Sequence, residues 1–241
     1  MSKLSSNTLA TRFVNAYNLL DHSLRTQYNF KTNISFSDLI RRTASLNHVI
    51  RHYEDDLIDL ARLRNAIIHS KSEEVIAEPH ENVVVLIEKV ARIISTPPLV
   101  VDALKSPSVD TINAESTLRD YIIMSSKVGH SNIPVYKSNM LIGVLQRHSF
   151  LEIIGHVMQQ GRGLDEFIST SSIESFLREF PCNKHFIIVS TRVTIEEVLE
   201  LFNNRKLSAI IITSNGTSGG KLMGIVTNAD IMALMQILDG Y

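Results

Sequence analysis

The chain has one cysteine, Cys182, and no tryptophan in 241 residues. A single thiol excludes an internal disulfide and a thiolate-rich metal centre; it fits a reducing compartment and reads as a small core residue. Charge of one sign is also missing, since 24 basic side chains against 25 acidic ones give a formal net charge of -1. No summed field therefore draws the protein to nucleic acid or anionic lipid, and any phosphate must be recognised by a local site. Long apolar runs are absent too. No run approaches the roughly 18 residues of a membrane span, and the first residues, MSKLSSNTLATRF, hold no stretch of signal-peptide length. The expectation is a cytoplasmic protein without a membrane partner. The histidines other than His69 are read as having neither His-x-x-x-His nor clustered-carboxylate spacing, and no metal is expected.

What is present is an ordinary globular composition, 44% apolar and 20% charged, enough to bury a core. At this length two domains are the starting expectation. From about residue 7 to 95 the apolar residues recur at helical spacing, beginning with Leu9, Phe13, Tyr17, Leu20 and Leu24. A second helix is expected to start at an N-cap Ser37 and carry Ile40, Ala44 and Ile50 inward. A third covers Asp55 to His69. A fourth follows Pro79, turns Val83, Leu86, Val90 and Ile93 to one face, and is stopped by Pro97 and Pro98. Short loops between such helices predict an antiparallel bundle.

Beyond the two prolines the pattern changes to short apolar runs alternating with helical segments, and it repeats. An offset of about 77 residues aligns TLRDYIIM, from Thr117, with TIEEVLEL, from Thr194. The same offset pairs Ser131, Asn132, Ile133, Pro134 and Val135 with Ser208, Ala209, Ile210, Ile211 and Ile212. A short insertion within Asn215 to Gly220 then brings GVLQRHSF into register with GIVTNADI. Each copy reads strand, helix, strand, turn, strand, helix, with Asn139 marking the first turn.

The string Gly224-Ile225-Val226-Thr227-Asn228-Ala229-Asp230 carries chemistry. A threonine that closes a strand and opens a helix offers a hydroxyl beside the free N–H groups of a first turn, which can bind phosphate. Asp230 on the same turn can accept ribose hydroxyls. The same Thr-x-x-Asp is also close to a capping box, whose only work is to satisfy the helix start. Together with the duplication and the apolar pairs Pro134-Val135 and Ile211-Ile212, the string resembles CBS domains, which occur as tandem pairs. The resemblance covers about residues 107 to 238. It implies an α + α/β fold, an N-terminal helical bundle over 1–98 followed by a tandem CBS pair over 99–241 built from two β-α-β-β-α repeats, about 107–160 and 185–241. It further implies an adenine nucleotide, AMP, ADP or ATP, as regulatory ligand, with S-adenosylmethionine or a cyclic dinucleotide as other candidates. Thr227, Asn228 and Asp230 would hold ribose and phosphate while Val109 to Ile112 and Ser131, Asn132 and Ile133 of the first copy sandwich the base. The first copy departs from the pattern, with Gln146 and Ser149 where threonine and aspartate would stand, so one good site is expected. Arg147 and His148 are candidate phosphate contacts there, and Arg192, Arg205 and Lys206 are candidates for tail phosphates.

In the helical half, DLARLRNAIIHS contains Arg64-Asn65-x3-His69. This resembles the HEPN family, helical bundles whose active members carry Arg-x4-6-His and complete a metal-independent RNA-cleaving site across a homodimer. The resemblance implies that His69 moves a proton, Arg64 stabilises charge on the scissile phosphate and Asn65 orients the histidine or the substrate. On an ideal helix Asn65 and His69 share a face while Arg64 points roughly 140° away, and Arg62 lies near the histidine face. An arginine and a histidine at a helix end also suit the C-terminal dipole, so the trio has a purely structural reading. The two functional expectations are a nucleotide-controlled endoribonuclease acting as a homodimer on RNA, and a non-catalytic nucleotide sensor whose helical domain serves dimerisation or partner docking.

Overall fold

A computed structural model describes residues 8–68, 77–104, 109–128, 131–161, 163–180 and 185–240. His69 and Cys182 lie outside the described residues, as do the side chains of His148 and Ser149. The chain divides into two compact units, one of Met1–Pro98 with Thr194–Glu200 and Met235–Tyr241, the other of Leu99–Val193 with Leu201–Leu234.

Helices α1 (Leu9–Gln27), α2 (Phe36–Ala44), α3 (His48–His52), α4 (Glu54–Ile67) and α5 (Glu81–Ser95) make up most of the first unit. Each of the first three starts on a side-chain cap: Thr8, Ser35 and Asn47 accept from the backbone N–H of Thr11, Asp38 and Ile50. The cap of α2 is thus Ser35, not Ser37. Ser35 is extended and its hydroxyl donates back to Asp38 at 2.7 Å, a reciprocal bond that Ser37, already helical, has no geometry to make. The helix expected to carry Ile50 stops at Ala44, and Asn47 restarts the chain as α3. In α1 the buried face is Ala10, Phe13, Ala16, Leu20 and Leu24, with Leu9 and Tyr17 at its edge.

The face of α5 is rotated from the expected one. Val84, Ile87, Val90, Ala91, Ile93 and Ile94 are buried, while Val83 and Leu86 are half-buried and line a shallow pocket with Leu60 and Leu63 of α4. The rotation turns Glu88 toward α1, where Arg12 Nε and Nη2 donate to its two carboxylate oxygens at 2.9 and 2.7 Å. That two-pronged bond holds the Glu88 carboxyl below its usual range.

A short helix α6 (Val100–Ala103) leads into the second unit, where the expected duplication appears as a repeated topology. The first copy runs β1 (Ile112–Asn113), α7 (Leu118–Val128), β2 (Asn132–Lys137), β3 (Met140–Gln146) and α8 (Arg147–Gln159). Helices α9 (Leu164–Thr170) and α10 (Ile173–Glu179) follow. The second copy runs β4 (Phe186–Ser190), α11 (Ile195–Asn204), β5 (Ala209–Thr213), β6 (Leu222–Thr227), a 3-10 turn (Asn228–Asp230) and α12 (Ile231–Gly240). Each copy forms a three-stranded sheet whose first two strands are parallel and whose last two are antiparallel. The parallel pairs require a crossover, supplied by α7 and α11. The β2–β3 hairpin turns through Ser138 and Asn139, both at positive φ (47° and 64°), as a two-residue turn matched to strand twist demands.

The repeat extends to an irregularity. In the first sheet Val135 pairs with Gly143 and Tyr136 with Leu141, leaving Ile142 as an extra residue. In the second, Ile212 pairs with Gly224 and Thr213 with Leu222, leaving Met223 extra. Side chains three apart on a regular strand point to opposite faces; the bulge cancels one step. Leu141 and Val144 therefore share a face, as do Leu222 and Ile225, and these join Ala209, Ile211 and Tyr136 in one apolar cluster between the copies. The opposite face of the first sheet is sealed by a separate core in which Ile112, Ile133, Val135 and Leu145 meet Phe167 of α9 and Phe176 of α10.

Within the inter-repeat cluster the Tyr136 hydroxyl is buried with no hydrogen-bond partner among the described residues, and burial raises its pKa. An unmade buried bond costs about 1–3 kcal/mol. Tyr136→Phe is therefore expected to leave the protein as stable or more stable in urea unfolding. Ile211→Ala, in the same cluster and fully buried, is expected to cost about 2–5 kcal/mol.

Candidate functional site

Thr227 ends β6 in extended conformation, and Asp230 closes the turn that follows. The Thr227 backbone N–H donates to Asp230 Oδ2 at 2.8 Å and its hydroxyl donates to the same oxygen at 2.9 Å. Both ends of a capping box are present. Thr117 with Asp120 and Thr194 with Glu197 build the same arrangement at the starts of α7 and α11, so the box by itself is a helix-start device here. Thr227 differs in where it stands, at the carboxyl end of a strand, the side of an α/β sheet on which ligands are bound. Its two bonds converge on Oδ2. Among the described residues no donor is recorded at Oδ1, which leaves that oxygen able to accept from an outside hydroxyl. Asn228 is exposed and Asp230 half-buried.

The residues assigned to the base divide into two kinds. Ile112 and Ile133 turn their side chains into the core of the first copy, at 7% and 0% exposure, so neither side chain is presented to a base. Ser131 is exposed and Asn132 half-buried. Arg192, Arg205 and Lys206 are all exposed. Arg147 is exposed, and one guanidinium nitrogen donates to the Ser125 carbonyl at 2.9 Å. Gln146, in the place of Thr227, donates through Nε2 to Ser208 Oγ at 2.6 Å, and Ser208 Oγ donates in turn to the His185 carbonyl at 2.9 Å. Sequence reasoning missed this bridge, although Gln146 and Ser208 already stood out as the partners that the repeat assigns to Thr227 and Ser131.

In the helical unit Arg64 sits on the last turn of α4, half-buried, and Asn65 beside it is exposed. The structure brings Arg64 to a residue no motif named, with its guanidinium carbon 6.0 Å from the Tyr17 ring centroid. Its Nε is buried without a hydrogen-bond partner. Burial, reinforced by Asp21 and opposed by Arg64, pushes the Tyr17 phenol up to about 12, so it stays neutral. Arg62 is paired instead with Asp59 at 2.8 Å. His48 and His52 have the His-x-x-x-His spacing that puts two imidazoles on one helix face. They line a cavity of about 230 Å³ with Tyr53, Ile93, Leu199 and Met235, yet no group of three metal-ligating side chains gathers among the described residues. No helix of the described residues is long and apolar enough to cross a membrane.

The repeated three-stranded sheets, each with a crossover helix, define a duplicated α/β module beside a helical region. Within it, residues 177–237 match the CBS domain family, so the chain carries a CBS domain. Among curated proteins nothing matches the chain. Solved structures that align with it include the CBS domain of a CBS domain containing membrane protein from Sphaerobacter thermophilus, at 16% identity and a TM-score of 0.44, covering 57% of this chain and 87% of that one. The CBS domain of the bacterial CNNM/CorC family Mg2+ transporter in complex with ATP aligns at 18% identity and 0.45, covering 63% and 94%. CBSX2 in complex with AMP aligns at 18% identity and 0.44, covering 58% and 98%.

Because Thr227 both accepts a first-turn N–H and fixes Asp230, Thr227→Ala is expected to lower stability by about 1 kcal/mol, the usual worth of a cap. Thermal unfolding of the ligand-free protein measures it. Thr227→Ser, which keeps the hydroxyl, should recover most of the loss.

Proposed function

We propose that the α/β unit binds an adenine nucleotide, AMP, ADP or ATP, and that the protein is a regulatory sensor of that ligand. The observation that carries this reading is the Thr227–Asp230 pair at the end of β6 within the CBS domain. Asp230 accepts a ribose hydroxyl, and Thr227 with the exposed first turn at Asn228 and Ala229 meets phosphate through hydroxyl and N–H groups. Ser131 and Asn132 line the mouth, with the backbone at Ile112 and Ile133 alongside the base. No metal takes part in this scheme.

The ligand's effect passes along α12. That helix begins at Ile231, next to Asp230, and from Met235 onward it belongs to the helical unit. There Lys89 Nζ donates to the Asp239 carbonyl at 2.8 Å, and Met235 and Leu238 line the cavity beside His48 and His52. A ligand that favours one placement of the first turn of α12 biases the packing at its far end, which is what coupling between two sites requires. The helical unit then serves dimerisation or partner docking in a homodimer.

Thermal unfolding with AMP, ADP and ATP, each at 100 times its dissociation constant, should show stabilisation of about 2.7 kcal/mol. The gain should vanish in Asp230→Ala. No shift with any of the three, in a protein that unfolds cooperatively, would reduce Thr227 and Asp230 to a helix cap.

A second reading assigns the helical unit a metal-independent endoribonuclease activity on RNA, with Arg64, Asn65 and His69 completed across the homodimer. The feature that favours it is the half-buried Arg64 on the last turn of α4, a cation whose terminal nitrogens would meet a phosphate oxygen while its Nε stays buried. RNA cleavage in the presence of a chelator, lost in His69→Ala with unfolding temperature unchanged, is the outcome expected of an enzyme. Cleavage absent from the wild-type protein, with and without nucleotide, leaves the sensor alone.

A further inference from the structure

The two copies match position for position at their strand ends. Gln146 closes β3 opposite Asn132, and Thr227 closes β6 opposite Ala209. Ser131 and Ser208 each stand one residue before the middle strand. The bulges coincide, and the cluster between the copies draws Leu141 and Val144 from β3, Ala209 and Ile211 from β5, Tyr136 from β2, and Leu222 and Ile225 from β6. Each middle strand and each last strand thus meets the other copy, as a twofold relation requires.

Under that relation the Gln146–Ser208 bridge has a counterpart position, Thr227 opposite Ser131. The two positions are filled differently. A glutamine side chain is two bonds longer than threonine, roughly 2.5 Å more reach, and Gln146 uses it to close on Ser208 at 2.6 Å. Ser208 spends its proton on the His185 carbonyl, so its lone pair is free to accept from the amide. The polar groups at this strand end satisfy one another, and a ligand entering here must break bonds it has to replace. Across from it, Thr227 is turned down onto Asp230 and Ser131 is exposed, so no bond of this kind joins the two.

We infer that Gln146 is a latch: its bond to Ser208 fills the first cleft where ribose and phosphate would lie, so the module takes one nucleotide per chain, between Thr227, Asp230 and Ser131. This rests on the nucleotide reading above and adds the residue pair that closes the first cleft and so sets the count. Gln146 is a specificity-determining residue that acts by occupying space and bonds, not by touching ligand.

Titration calorimetry of the full chain with ATP and with AMP is expected to give one equivalent, abolished by Asp230→Ala and weakened by Ser131→Trp. The paired change Gln146→Thr with Ser149→Asp is expected to raise the count to two. Two equivalents in the wild-type protein, or one in a folded double variant, overturn the latch while leaving nucleotide binding intact. No heat with either nucleotide overturns the binding reading instead, and the latch is then decided by thermal unfolding of Gln146→Ala, Ser208→Ala and the pair. A shared bond makes the double loss smaller than the sum of the single ones; additive losses overturn it.

Discussion

The second unit depends on the contact between two small sheets. Three strands with helices on one side leave an apolar face that neither copy can bury alone, and Leu141, Val144, Ala209 and Ile211 close that face by meeting one another. The bulges make the contact possible, since without the extra Ile142 and Met223 the pairs Leu141 with Val144 and Leu222 with Ile225 would point to opposite sides of their strands. Gly224 answers the same crowding, for a methyl group there would collide with the end of the Leu104 side chain.

Once two like sheets meet face to face, their strand ends face each other in pairs, and polar groups there are satisfied by the other copy or by a ligand. One pair of ends is closed by Gln146 and Ser208. The other carries the Thr227–Asp230 box, which satisfies the helix start and still presents a carboxylate oxygen. In the proposed function, helix capping and ligand recognition use the same set of atoms, and a cap suits a ligand because its geometry is fixed before the ligand arrives.

The helical unit was legible as helices but not in its details. Amphipathic spacing identifies α1, α4 and α5, because burial of a stripe is a local property of sequence. It misplaces the start of α2 by two residues, since serines at 35 and 37 both satisfy the preference and only the backbone at Ser35 accepts the role. It also misses the rotation of α5, because the choice between Val83 with Leu86 and Val84 with Ile87 is made by packing against other helices, a contact that the Arg12–Glu88 pair accompanies. Spacing paired Arg64 with Asn65 and His69; packing pairs Arg64 with Tyr17 on α1, a neighbour that no distance along the chain announces. The reading that the histidines lack His-x-x-x-His spacing is wrong for His48 and His52, which stand four apart, and the fold gives them a shared cavity.

The sequence by itself determined a helical first part, the order of elements in each α/β copy and the residues at each strand end, because duplication, alternation and turn chemistry are written along the chain; it did not tell that Thr194–Glu200 and Met235–Tyr241 group with the helical unit. Only the tertiary structure decided which strand end is closed. That outcome rests on a hydrogen bond between Gln146 and Ser208, residues far apart in sequence whose meeting is fixed by the packing of one sheet on the other. Residue identity sets what a side chain can bond; the fold sets what it has already bonded, and a site is where the second leaves the first unspent.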